Sequence, residues 1–166
     1  IDVTSRHDTP WMAESWWEIE GENRPKAILP PAGHISVGPS GLAYNPGTGL
    51  AEHWDNRFFV CDYRGGESEV ISFEMAPAGA GFEIAADETF IKGFLNTDIE
   101  FGYDGKIYVS DFTGGWQTYE FGTIFVFHDP QETAKPVVEE VRLLFAEGFG
   151  HRRPEALAEL MRHADL

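Results

Sequence analysis

Four aspartates and one histidine are the residues of this chain whose types and spacing could do chemistry: Asp62, Asp98, Asp104, Asp111 and His34. His34 has an ordinary pKa near neutrality, so it could act as a general base. The competing role for it is a histidine donating hydrogen bonds at a strand start. Asp62 and Asp98 could supply hard oxygens to a divalent cation such as calcium, provided other oxygens converge on them. No contiguous calcium-binding loop of the EF-hand kind is present. Asp104 is followed by Gly105, and Asp-Gly reads as turn chemistry because glycine accepts positive φ. Asp98 and Asp111 lie at strand ends, where a carboxylate can accept backbone N–H bonds and tie neighbouring strands together.

Other chemistries are excluded by what the chain lacks. There is no glycine-rich phosphate loop, Ser-His-Asp signature or HExxH motif. The single cysteine, Cys61, rules out an intramolecular disulfide and a CxxC zinc or CxxCH haem motif within these residues. It sits inside an apolar run and reads as a small buried hydrophobe. With 28 acidic against 12 basic residues the formal net charge is −16, which repels DNA, RNA and anionic membranes. Neutral or cationic small molecules and divalent cations remain as ligand classes. No apolar stretch approaches the eighteen residues of a membrane-spanning helix.

The elements that must position these residues are mainly strands. Eighteen glycines and ten prolines point to a turn-rich β fold. Residues 1–33 are irregular, rich in Trp and Pro. Trp11, Trp16 and Trp17 read as anchors of an extended segment or as an aromatic lid over a site. Residues 34–130 carry strand signals. SGLAY, RFFVCDY, SEVISFEMA and FEIAADETFIK form one set of four, and TDIEF, KIYVSDF and GTIFVF begin a second. Four-stranded antiparallel units in tandem predict β-propeller blades, about two here with the second truncated; a β-sandwich satisfies the same spacing. Residues 131–166 turn helical, with Val138, Val141, Leu144 and Phe145 on one stripe and Leu157, Leu160, Met161 and Ala164 on another. Such an αα-hairpin must pack on a neighbour to bury its apolar side. The chain opens on Ile1, and it is expected to be a piece of a longer protein.

The string from GHISVGPSGLAYNPG through RFFVCDYRGG, VISFEM and FLNTDIEFGYDGKIYVSDFTGGW to GTIFVF resembles the late blades of a six-bladed propeller. The family is that of the glucose/sorbosone dehydrogenases, relatives of the soluble pyrroloquinoline quinone (PQQ) sugar dehydrogenases. The closest resemblance is to a membrane-bound-dehydrogenase-like subgroup in which HEAT-type helical repeats and a c-type haem domain follow the propeller; residues 131–166 resemble the first such repeat. The resemblance implies a sugar- or alcohol-oxidising enzyme that works in the periplasm or outside the cell and passes electrons to haem or another acceptor. PQQ and calcium are the implied cofactors, and the remaining blades of the parent protein are the implied partners. It further implies that His34 and Ser36 face the quinone, that Arg64 stands at or beside a basic contact to it, and that Asn96, Thr97 and Asp98 stand where relatives carry an Arg-x-Arg-Asp clamp. The catalytic base of those relatives is a histidine on an early blade, which these residues do not include; His34 is the catalytic candidate on its own acid–base chemistry. Ser36, Arg64, Asn96, Thr97 and Asp98 are the cofactor-facing candidates, and Asp62 is the metal candidate. Both clamp arginines are absent from this sequence. PQQ carries three carboxylates that guanidinium groups hold well, so their loss favours a second reading: a non-catalytic propeller module for binding or scaffolding, for instance on carbohydrate.

Overall fold

A computed structural model describes residues 19–20, 24–25, 32–114, 120–148, 150 and 152–160. The tryptophan segment Trp11–Trp17 lies outside the described residues, as do Met161 and Ala164. The chain divides into two compact units, Ile1–Gly33 and His34–Leu166. In the first, β1 (Ile19–Glu20) pairs antiparallel with β2 (Arg24–Pro25).

The second unit is mainly β. Four strands, β3 (Pro39–Tyr44), β4 (Phe58–Asp62), β5 (Glu69–Ala78) and β6 (Gly81–Lys92), form an antiparallel sheet in chain order. Three more, β7 (Asn96–Phe101), β8 (Ile107–Asp111) and β9 (Thr123–Phe127), form a second. The near-continuous apolar run of β4 marks a strand buried on both faces. Phe59 and Cys61 point to one side, and pair in register with Ser72 and Val70 of β5. That side meets Ile99, Ile107 and Val109 of the second sheet in one core, ringed by Trp54, Phe90, Phe94, Phe101 and Phe127. The rings meet edge-on where Phe59 and Phe90 lie 4.9 Å apart at 81°, a favoured aromatic arrangement.

The two sheets touch through β3 and β7, and glycine makes the approach close. A Cβ at Gly41 would stand 2.7 Å from the Asp98 Cα. At the far end of the second sheet, Asp104 behaves as turn chemistry demands. Its Oδ1 accepts from the Lys106 N–H at 3.2 Å, its Oδ2 accepts from the Tyr108 hydroxyl at 2.8 Å, and Gly105 takes φ 74°.

A short helix absent from the sequence-based reading, α1 (Pro130–Thr133), follows β9. Asp129 caps it by accepting from the Gln131 N–H at 2.8 Å, and Pro130 opens it. Helix α2 (Pro136–Glu147) buries Val138, Val141 and Leu144 and ends at Gly148, φ 75°. Phe145, expected on the same stripe, is instead 50% exposed and stacks on Tyr103 at 5.1 Å. The helix turns 100° per residue, which carries the residue after Leu144 to the rim of the buried face. Helix α3 (Pro154–Leu160) follows. None of the described helices is long and apolar enough to cross a membrane.

Candidate functional site

Alternation of strand direction brings six strand termini to one end of the unit: Pro39, Asp62, Glu69, Lys92, Asn96 and Asp111. The three segments that carry the sequence candidates, around Ser36, Arg64 and Asn96, meet there.

Asp62 is the hub. Its Oδ1 accepts from the Ser36 hydroxyl at 2.8 Å and from the Val37 and Gly38 N–H groups at 3.0 and 2.7 Å. Its Oδ2 lies 2.6 Å from Arg64 Nε, with the N–H turned off the line, so that contact is Coulombic more than a hydrogen bond. Burial opposes the charge on Asp62. The Gly38 N–H, the Ser36 hydroxyl, the Val37 N–H and Arg64 together outweigh it, and the carboxyl titrates below its ordinary value.

Arg64 turns its other arm to Glu69, with Nη2 2.8 Å from Oε1. The second Glu69 oxygen accepts from Thr89 at 2.7 Å and meets Lys92 at 3.0 Å. The Thr89 hydroxyl is the largest cause of a lowered Glu69 pKa; burial opposes it, and Lys92 and Arg64 add to it. Glu69, Thr89 and Lys92 were not among the sequence candidates. The available signal was a charged residue, Glu69, opening a strand three residues after Arg64-Gly65-Gly66.

The remaining candidates divide. Asn96 is buried and donates to the Glu69 carbonyl at 2.9 Å, while its Oδ1 has no hydrogen-bond partner among the described residues. Thr97 shares a 2.9 Å hydroxyl bond with Ser110. Asp98 is exposed, and its Oδ1 accepts from the N–H of Ile99 at 3.0 Å. Asp111 ties β7 to β8 by accepting from the Leu95 N–H at 2.7 Å. His34 is exposed and belongs to none of these bonds. Cys61, buried beside Asn96, has its thiol pushed up to about 11, mainly by burial; Asn96 opposes the rise and Asp98 adds to it.

Between the second and third segments lies a cleft of about 400 Å³, lined by Tyr63, Phe94, Leu95 and glycines 65, 66, 93 and 114. A Cβ at Gly66 or Gly93 would meet nothing within 4 Å. The cleft is lined by two aromatic rings, the Leu95 side chain and glycine backbone.

These residues do not fit an anionic quinone. Its carboxylates need uncommitted positive donors, yet Arg64 and Lys92 are both drawn to Asp62 and Glu69. Nor does Asp62 suit calcium, since donors fill one of its oxygens and a guanidinium faces the other. Among the described residues no group of three or more His, Cys, Asp or Glu could hold a metal ion.

No protein-family model matches the chain, and no curated protein does. Among solved structures, the chain is similar to a Thermus thermophilus protein named as a candidate oxidoreductase (glucose dehydrogenase). That likeness has 21% identity and a TM-score of 0.38, over 53% of this chain and 24% of the other. The chain thus spans about a quarter of the length of that neighbour.

Proposed function

We propose that this chain is part of a dehydrogenase-like β-propeller that acts on a sugar or other alcohol, its two antiparallel sheets being adjacent blades. One observation carries this reading. Segments 26 residues apart and more, around Ser36, Arg64 and Asn96, converge on one end of two face-packed sheets, with a cleft lined by two aromatic rings between two of them. In blade assemblies such ends face the ligand. The cleft suits a neutral polyol, which needs ring faces and backbone hydrogen bonds rather than charge. Oxidation of an alcohol carbon removes the hydroxyl proton and a hydride from carbon. His34 is the group here that would accept the hydroxyl proton; the hydride would need a two-electron acceptor supplied from outside these residues, which could pass its electrons on to a haem domain like that of the resembled subgroup. Ser36, Asp62 and Arg64 hold the His34 loop on the sheet. Export to the periplasm or beyond belongs to the same proposal.

The committed state of Arg64 and Lys92 favours a second reading, a propeller that binds carbohydrate without oxidising it. Calorimetry with aldoses and polyols, beside dye reduction with the same compounds, tests both. Sugar binding with dye reduction that His34→Ala abolishes supports the enzyme. Binding without dye reduction selects the second reading, and no binding at millimolar sugar overturns both.

A further inference from the structure

We infer that Glu69 is a positioning residue for the loop that carries His34: by holding one arm of Arg64, it keeps one oxygen of Asp62 for that loop. The part given to His34 rests on the function proposed above; the seating of its loop does not. Residues 34–38 belong to no strand or helix, and Val37 is 82% exposed. Packing fixes such a segment weakly, so its polar bonds decide where it sits. Three of them end on a single atom, Oδ1 of Asp62, from the Ser36 hydroxyl at 2.8 Å, the Val37 N–H at 3.0 Å and the Gly38 N–H at 2.7 Å. The Tyr63 N–H adds a bond to the Gly38 carbonyl at 2.7 Å.

Arg64 is the competitor for that oxygen. A guanidinium beside a carboxylate favours the fork, with Nε on one oxygen and a terminal nitrogen on the other. Here the fork is split between two carboxylates. Nε lies 2.6 Å from Asp62 Oδ2, while Nη2 donates to Glu69 Oε1 at 2.8 Å. Glu69 can hold that arm because it is itself fixed. It is buried, and its Oε2 takes the Thr89 hydroxyl at 2.7 Å and Lys92 at 3.0 Å. Strand register sets it opposite Asp62. Once the charge on Glu69 is removed, Nη2 is released to Asp62 Oδ1, in place of the loop's donors.

The backbone turn that follows Arg64 is held separately. The Arg64 N–H donates to Ser68 Oγ at 2.9 Å, and the Ser68 hydroxyl donates to the Gly65 carbonyl at 2.7 Å. Gly65 and Gly66 of that turn line the cleft. A change at Glu69 therefore acts on the His34 loop and leaves this lining in place.

Amide hydrogen exchange on the whole chain tests this with Glu69→Gln, which keeps the side chain's shape and an acceptor for Thr89. The Val37 and Gly38 amides should exchange about tenfold faster or more, while those of Ile107–Asp111 in β8 keep the parent's rates. Adding Arg64→Leu removes the competitor and should reverse most of that rise. A general loosening of the fold would speed β8 as well, and the second substitution would deepen it. Unchanged exchange at Val37 and Gly38 overturns the inference. So does a rise that β8 shares, or one that Arg64→Leu leaves in place. The readout needs no sugar, so it stands or fails apart from whether the chain oxidises one.

Discussion

Asp62 and Glu69 stand directly opposite each other across β4 and β5, and both carboxylates converge on Arg64. Two like charges in register repel; the guanidinium between them offsets part of this, beside the Gly38 N–H, Ser36 hydroxyl and Val37 N–H on Asp62 and the Thr89 hydroxyl and Lys92 on Glu69. Arg64→Leu is expected to cost about 1–3 kcal/mol at pH 7, less than a fully buried pair because Arg64 is partly exposed. Both carboxyls have depressed folded pKa values. Their contribution is therefore complete above the ordinary carboxylate range near pH 4, and it is lost as pH falls through the lower folded values. The penalty of Arg64→Leu should shrink across the same acid window, where the carboxylates protonate. Urea midpoints from pH 7 to pH 3 for parent and variant check this; a penalty that stays constant with pH rules it out.

Gly41 is a contact residue because it lacks a side chain. In Gly41→Ala the new methyl would meet the Asp98 Cα at 2.7 Å and the Ile99 nitrogen at 3.1 Å. Backbone cannot swing aside as a side chain can, so the sheets must part, at about 1–3 kcal/mol. Asp98→Ala in the same molecule should not restore stability. Restoration in a thermal melt would show that the clash is with the carboxylate alone.

Helix α2 offers a paired comparison between neighbours. Leu144→Ala removes a buried side chain and should cost about 2–4 kcal/mol. Phe145→Ala removes a half-exposed ring stacked on Tyr103 and should cost about 1 kcal/mol. Equal losses in denaturant titrations would contradict this placement of the helix face.

Cys61 is fully buried, and its thiol is raised to about 11. At pH 8 the native chain should react with a thiol reagent at least about a hundredfold more slowly than the urea-unfolded chain. Rapid native labelling would place Cys61 outside the core between the sheets.

How much was legible before the fold depended on the range of the interaction. Strand positions, the Asp104-Gly105 turn and the helix ending at Gly148 follow from periodicity and local backbone preference, which neighbours in sequence set. The carboxylate of Asp111 was likewise readable as a strand tie, because a strand-end aspartate finds backbone donors nearby. Short-range order missed α1, whose four residues are too few to show a helical period.

The site depended on pairing over longer distances. Arg64 reads from sequence as a basic group available to a ligand. Its real state follows from register, which sets Asp62 opposite Glu69 and Glu69 opposite Lys92. Nothing local specifies that alignment. It comes from burying Phe59, Cys61 and Val70 against the second sheet, since a one-residue slip would turn each of them to the other face. Composition and alternation specify strands and turns because those are properties of adjacent residues. Which charges meet, and which remain free for a ligand, is settled when the core selects one register.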